Sequence, residues 1–267
     1  MMAPLSLLRM RFLMGLQYRA AAAAGIMTQL FFGFIFIMVY VAFYTHSGAA
    51  QPMTLKEVVA YIWLQQMFLA FIMIWSSDGE LFQMIIGGNI AYELCRPWRL
   101  YPIWYAKLLA ARLSSAALRC LPIAFVVFFL PEPYRFSPPA SPAALLLFAA
   151  SLFAGLLLVV AISMFIYISV FWTMSPVGSL LVVSVAGDFL SGKIVPVPLM
   201  PGWMQTIAHL LPFRWTVDFP FRVYTGHIGV QEALAGLAAQ MIWLAVLVAA
   251  GMWLMRRALR RVVVQGG

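Results

Sequence analysis

The sequence predicts an all-α integral membrane protein with six transmembrane helices, an N-terminal interfacial helix and an outer re-entrant helical hairpin before the last span. Three observations carry this. Hydrophobic residues make up 64% of the 267-residue chain and charged residues 9%, whereas about a quarter of a soluble domain is charged. Several apolar runs reach the roughly 17–25 residues a helical crossing needs. Runs such as AALLLFAASLFAGLLLVVAISMFIYISVFW (143–172) lack the alternation of a membrane β-barrel strand.

In chain order, LSLLRMRFLMGLQYR (5–19) places Leu5, Leu8, Phe12 and Leu16 at helical spacing, with Arg9, Arg11 and Arg19 off that stripe. This suits a helix lying in the membrane interface, the alternative being a frayed terminus. A cleaved signal is a poor fit, because the apolar run follows the small residues instead of preceding them. Crossings are expected near 22–44, 58–76, 108–130, 142–173, 177–193 and 232–255. The fourth runs to roughly 46 Å of helix against a hydrocarbon core of about 30 Å, so it must tilt or project, and the fifth is short.

Six crossings put both termini on one side, and twelve of the 17 Lys and Arg residues fall there. The positive-inside rule makes that side cytoplasmic, with 79–105 also inside and 194–230 outside. The net charge of +9 flanks apolar runs and forms no solvated basic patch, which argues against nucleic acid as a partner. Cys95 and Cys120 have neither zinc spacing nor a disulfide framework. His46, His209 and His227 are scattered, and no catalytic set or metal-ligand spacing accompanies them.

The stretch SGKIVPVPLMPGWMQTIAHLLPF (191–213) is apolar yet broken by prolines, and its pieces are too short to cross. Trp203, Ile207, Leu210 and Leu211 form one helical face stopped by Pro212. Physics alone leaves two readings open: a re-entrant hairpin packed on the bundle, or an amphipathic loop lying in the outer interface. Buried charge is costly in a membrane, which singles out Arg119 and Asp188. Arg119 shares a face with Arg112 seven residues earlier, and Pro122 frees the Leu118 carbonyl beside it. It reads as a path residue, a partner for an anionic headgroup, or an arginine snorkelling to the interface. Asp188 has Lys193 five residues on, and Arg214, Asp218 and Arg222 have the spacing of an ion-pair ladder.

The segment FLSGKIVPVPLMPGWMQTIAHLLPFRWTVDFPFRVYTG (189–226) resembles the outer hairpin before the last span of type-2 ABC transporter permeases, the membrane subunits of ATP-driven exporters. The matching positions are Gly192, Pro196, Pro201, Gly202, Trp203 and Pro212. GGNIAYELCRPWRLYPIWYAKLLAARL (87–113) resembles the cytoplasmic segment after the second span of the same family. The resemblance implies one permease domain over 1–267 in a cell membrane, a second permease subunit (identical or a sister chain), and separate ATP-binding-cassette ATPase subunits that carry ATP and magnesium. It also implies an exported substrate that the sequence does not identify. The chain has no G-x-x-x-x-G-K-[ST] phosphate loop, in keeping with a transport subunit that is not itself the enzyme. The same resemblance makes IAYELC (90–95), with Asn89 as a possible cap and Pro97 as its end, the coupling helix. Tyr92, Glu93 and Arg96 are then its docking side chains. The rival reading is an ion-coupled secondary transporter, which would place acids or histidines at mid-membrane.

Overall fold

The structure, a computed structural model, describes residues 2–46, 50–96 and 98–260. Pro97, Arg261 and the far C-terminus lie outside the described residues. The regular elements of the described residues are all helices: α1 (Met2–Gly15), α2 (Arg19–His46), α3 (Leu55–Met67), α4 (Leu69–Ile72), α5 (Gly79–Ile86), α6 (Ile90–Leu94), α7 (Leu100–Phe128), α8 (Pro142–Thr173), α9 (Val177–Leu190), α10 (Gly202–Leu210), α11 (Asp218–Thr225) and α12 (Val230–Leu259). Short 3-10 turns at Val197–Leu199 and Pro212–Thr216 flank α10.

Four of these, α2, α7, α8 and α12, are long and apolar enough to cross a membrane. Helix α8 is the central pillar, buried along most of its length and packed on α12, α11, α5 and α4. Its start is fixed by Ser141, whose hydroxyl accepts from the Ala144 N–H at 3.0 Å, and by Pro142, tolerated in the first turn where no amide partner is lost. In contrast α2 buries only Ala22, Gln29, Gly33 and Ile37, one narrow face, and leaves Phe31, Phe32 and Met38 exposed. Gly33 lets the fully buried Trp63 ring approach the α2 backbone, since a Cβ there would lie 2.4 Å from the indole.

The stretch expected as a second crossing, 58–76, is two helices. Helix α3 starts at a reciprocal Thr54–Glu57 capping box and buries every residue from Val58 to Met67. The chain then breaks at Phe68, resumes as the single turn α4 and leaves helical geometry at Met73. Buried backbone carbonyls outside a continuous helix need internal partners. The Arg112 side chain of α7 supplies them, donating to the carbonyls of Ala70 (3.3 Å), Met73 and Ser76 (3.5 Å). A further bond runs from Arg112 to Ser163 Oγ at 3.0 Å. The fifth apolar run is α9, 14 residues long.

Between α9 and α12 the chain folds back on itself. Gly192 adopts φ +85°, the left-handed region, and its carbonyl accepts from the Tyr61 hydroxyl at 2.9 Å. Gln65 donates to the Lys193 carbonyl, and the Asp218 N–H donates to the Ser191 carbonyl at 3.0 Å. The turn is thus tied to α3 and α11 at once. A Cβ on Gly192 would lie 2.7 Å from the Tyr61 oxygen and 2.9 Å from Asp218 Cβ. Gly192→Ala should therefore cost about 1–3 kcal/mol from backbone strain and crowding together. The check is the thermal midpoint of the purified variant, which should fall by several degrees.

Candidate coupling site

Three elements converge at the α5–α6 segment. Asp78 caps α5, accepting from the Glu80 N–H at 3.0 Å, and the Asp78 N–H itself donates to the Tyr167 hydroxyl of α8 at 2.6 Å. Lys107 of α7, its side chain only 7% exposed, reaches Glu80 at 2.7 Å and Asp78 at 3.0 Å. Arg11 of α1 joins the same Glu80 oxygen at 3.2 Å. Below this hub Phe82 stacks on Tyr167 with centroids 4.5 Å apart, and Trp104 meets Tyr167 edge-on. Ion pairs thus tie α1 and α7 to the start of α5, and the Asp78–Tyr167 hydrogen bond adds α8. The hydrogen-bonded Lys107 ammonium holds the Glu80 carboxyl below its ordinary value. That sign means the tie contributes fully above the usual carboxylate range and is lost only as pH falls through the lowered value.

From this anchored base the chain runs through Gly87 and Gly88, the latter at φ +74°, into the five-residue α6. Asn89, a possible cap by sequence, makes no side-chain cap bond and sits in right-handed helical geometry; capping by an acidic side chain occurs one helix earlier, at Asp78. Tyr92 projects with 75% of its surface exposed, and Ile86, Leu94 and Trp98 are also exposed. Glu93 is paired with Arg96 at 3.2 Å, and the Arg96 guanidinium lies 5.5 Å from the Trp98 ring centroid. The segment is a projecting, partly apolar tip on a rigid base. Helix α7 begins at Leu100, so the last residues of 79–105 form its first turn. A cavity of about 390 Å³ opens beside the tip, with Arg11, Glu80, Glu93, Arg96, Trp98 and Lys107 among its walls.

The other singled-out residues lie elsewhere. Arg119 projects from α7 against α2, where a Cβ on Gly25 would come 2.7 Å from its Cζ. Asp188 is bound to Lys193 at 2.7 Å at the head of the fold-back. Asp218 pairs with Arg222 at 3.2 Å and accepts from the Val197 N–H at 3.1 Å. Arg214, the third member of the expected ladder, instead lies 4.2 Å over Trp215. Pro196 precedes the first 3-10 turn, and Pro212 opens the second. Pro201 caps α10, its carbonyl accepting from Met204 and Gln205. Gly202 opens that helix with open space about its Cα, and Trp203 is 65% exposed.

Lys107, Glu80 and Arg112 were not singled out by sequence reading as site residues. For Glu80 and Lys107 the signal was the pair of acids at 78 and 80 in a chain with only eight, set at the start of a helix; Arg112, whose partners are three carbonyls and a hydroxyl, had no such signal. Among the described residues no group of three or more His, Cys, Asp or Glu could hold a metal ion.

The sequence profile of the family described as ABC-2 family transporter protein matches residues 30–266. The chain belongs to the ABC-2 transporter family. No curated protein and no solved structure matches it at a significant level. ABC-2 family permeases generally pair with ATPase subunits, and family members are typically the permease part and not the ATPase. With its four long apolar helices this ABC-2 protein is a multi-pass membrane protein.

Proposed function

We propose that the chain is the permease subunit of an ATP-driven exporter, with six crossings and both termini in the cytoplasm. In this reading α3 with α4, and α9, are the two short crossings, completing the set begun by α2, α7, α8 and α12. A second permease subunit closes the substrate path, and separate ATPase subunits bind ATP and magnesium. The observation that carries the reading is the α5–α6 tip. Its exposed Tyr92, Leu94 and Trp98 stand on a base joined by ion pairs to α1 and α7 and through Tyr167 to α8, so a push on the tip reaches the spans directly. The exposed apolar face of α10, with Trp203, Ile207 and Leu210, supports a hairpin that dips into lipid, because such a face is unfavourable in water. The ion-coupled alternative needs a free acid within the membrane; Asp188, its one candidate, is neutralised by Lys193.

Orientation is tested with a native residue. Cys95 is exposed beside the tip, so in a Cys120→Ser background a membrane-impermeant maleimide should label it in inside-out vesicles and leave it unlabelled in intact cells. Labelling in intact cells would invert the topology and remove the tip from the ATPase side.

A further inference from the structure

A second cavity, about 310 Å³, lies between α1, the α1–α2 junction and α7, and its walls include Arg11, Tyr18, Ala21, Lys107, Leu118 and Arg119. Its charges do not balance. Asp78 and Glu80 are committed to Lys107, and Glu80 also to Arg11. Arg119 has no acidic partner among the described residues, and its buried Nε has no hydrogen-bond acceptor. The Nε of Arg11 is likewise buried and unpartnered. The Arg119 guanidinium fits against α2 because residue 25 is glycine. Gly25 lies six residues into α2, about 9 Å along the axis from its first residue. From Leu118 the same face of α7 continues through Leu121 and Phe125, 74% and 70% exposed, an apolar track leading away from the charge.

We propose that this cleft binds the phosphate of an anionic phospholipid from the cytoplasmic leaflet, with Arg119 as its main ligand, Arg11 as the second cation and the acyl chains along Leu121 and Phe125. An arginine fork matches phosphate oxygens in a bidentate way, and basic pockets between membrane helices suit such headgroups. The assignment to the inner leaflet rests on the topology proposed above. The binding itself does not, and can be measured without the ATPase.

The experiment uses the full chain in phosphatidylcholine nanodiscs, titrated with fluorescent phosphatidylglycerol. Phosphatidylglycerol should bind about tenfold more tightly than labelled phosphatidylcholine. Two variants should each abolish that preference: Arg119→Gln, which removes the charge, and Ala21→Trp, which fills the cleft from an exposed position and keeps the test intact if the arginine variant folds poorly. Arg256→Gln, an exposed cation on α12, should retain it. Equal binding of the two lipids, or a preference that survives Ala21→Trp or a folded Arg119→Gln, overturns the proposal. Inorganic phosphate displacing the lipid as well as phosphatidylglycerol does would also overturn it, making the site one for free anions. Association with the ATPase, followed in the same preparations, separates failure here from failure of the export reading.

Discussion

Tyr92→Ala combined with Arg96→Ala should detach the ATPase subunits while leaving the permease folded. Tyr92 is the most exposed aromatic of the α5–α6 tip, and Arg96 stands one turn away, held by Glu93 and Trp98. Aromatic and arginine side chains carry most of the energy at interface hot spots, and their truncation commonly costs about 2 kcal/mol or more, roughly a thirtyfold loss of affinity. Folding should hardly notice. Tyr92 buries little within the chain, and a pair such as Glu93–Arg96, with its arginine exposed, contributes about 1 kcal/mol or less. Co-purification of the ATPase, its substrate-stimulated turnover and the melting temperature of the permease should therefore separate: the first two fall and the third stays. Intact association and export in the double variant would remove the coupling role from α6.

Arg112→Met should have the largest effect on stability. The side chain is 3% exposed and serves the carbonyls of Ala70, Met73 and Ser76 and the hydroxyl of Ser163. Methionine fills much of the same volume with no donor, so the broken end of α4 loses its partners inside the bundle. Leaving one buried polar group unsatisfied costs about 1–3 kcal/mol, and several are affected here, so a loss of about 3 kcal/mol or more is expected. Expression yield and thermal stability in detergent provide the check. Arg112→Lys should recover only part of the loss, because one ammonium cannot span the fan of acceptors that a planar guanidinium reaches. A methionine variant as stable as the parent would show that the break after Phe68 is held by packing alone.

The elements around Arg112 and Arg119 differ in how far the sequence reveals them. Hydropathy alone located α2, α8 and α12 closely, since a crossing helix must be apolar along its whole length whatever it packs against. It started the third run eight residues late, because the first two turns of α7, with Tyr101, Trp104 and Lys107, are polar enough to resemble loop. The break at Phe68 was not legible from hydropathy, because apart from Gln65 and Gln66 the run is apolar throughout and the arginine that bonds its freed carbonyls is 44 positions away. Arg112 and Arg119 share one face by spacing, and Arg119 lies deeper in the apolar run. Their neighbours differ, however: Arg112 meets α4 and α8, while Arg119 meets α2. The projecting tip was legible through its paired glycines and short amphipathic piece. Its anchorage was not, because Arg11, Glu80 and Lys107 come from three separate helices. At the fold-back, SGK signalled a turn through its glycine, but the Tyr61 and Gln65 bonds that fix it arise only from tertiary packing.

The central claim, that force from a separate ATPase enters through α6, is tested most directly by photo-crosslinking in living cells. A photoreactive phenylalanine at position 92 should form an adduct with a subunit carrying an ATP-binding phosphate loop, while the same probe at Trp203 should form none with that subunit. Absence of that adduct from position 92, or an equal yield from position 203, would contradict the account.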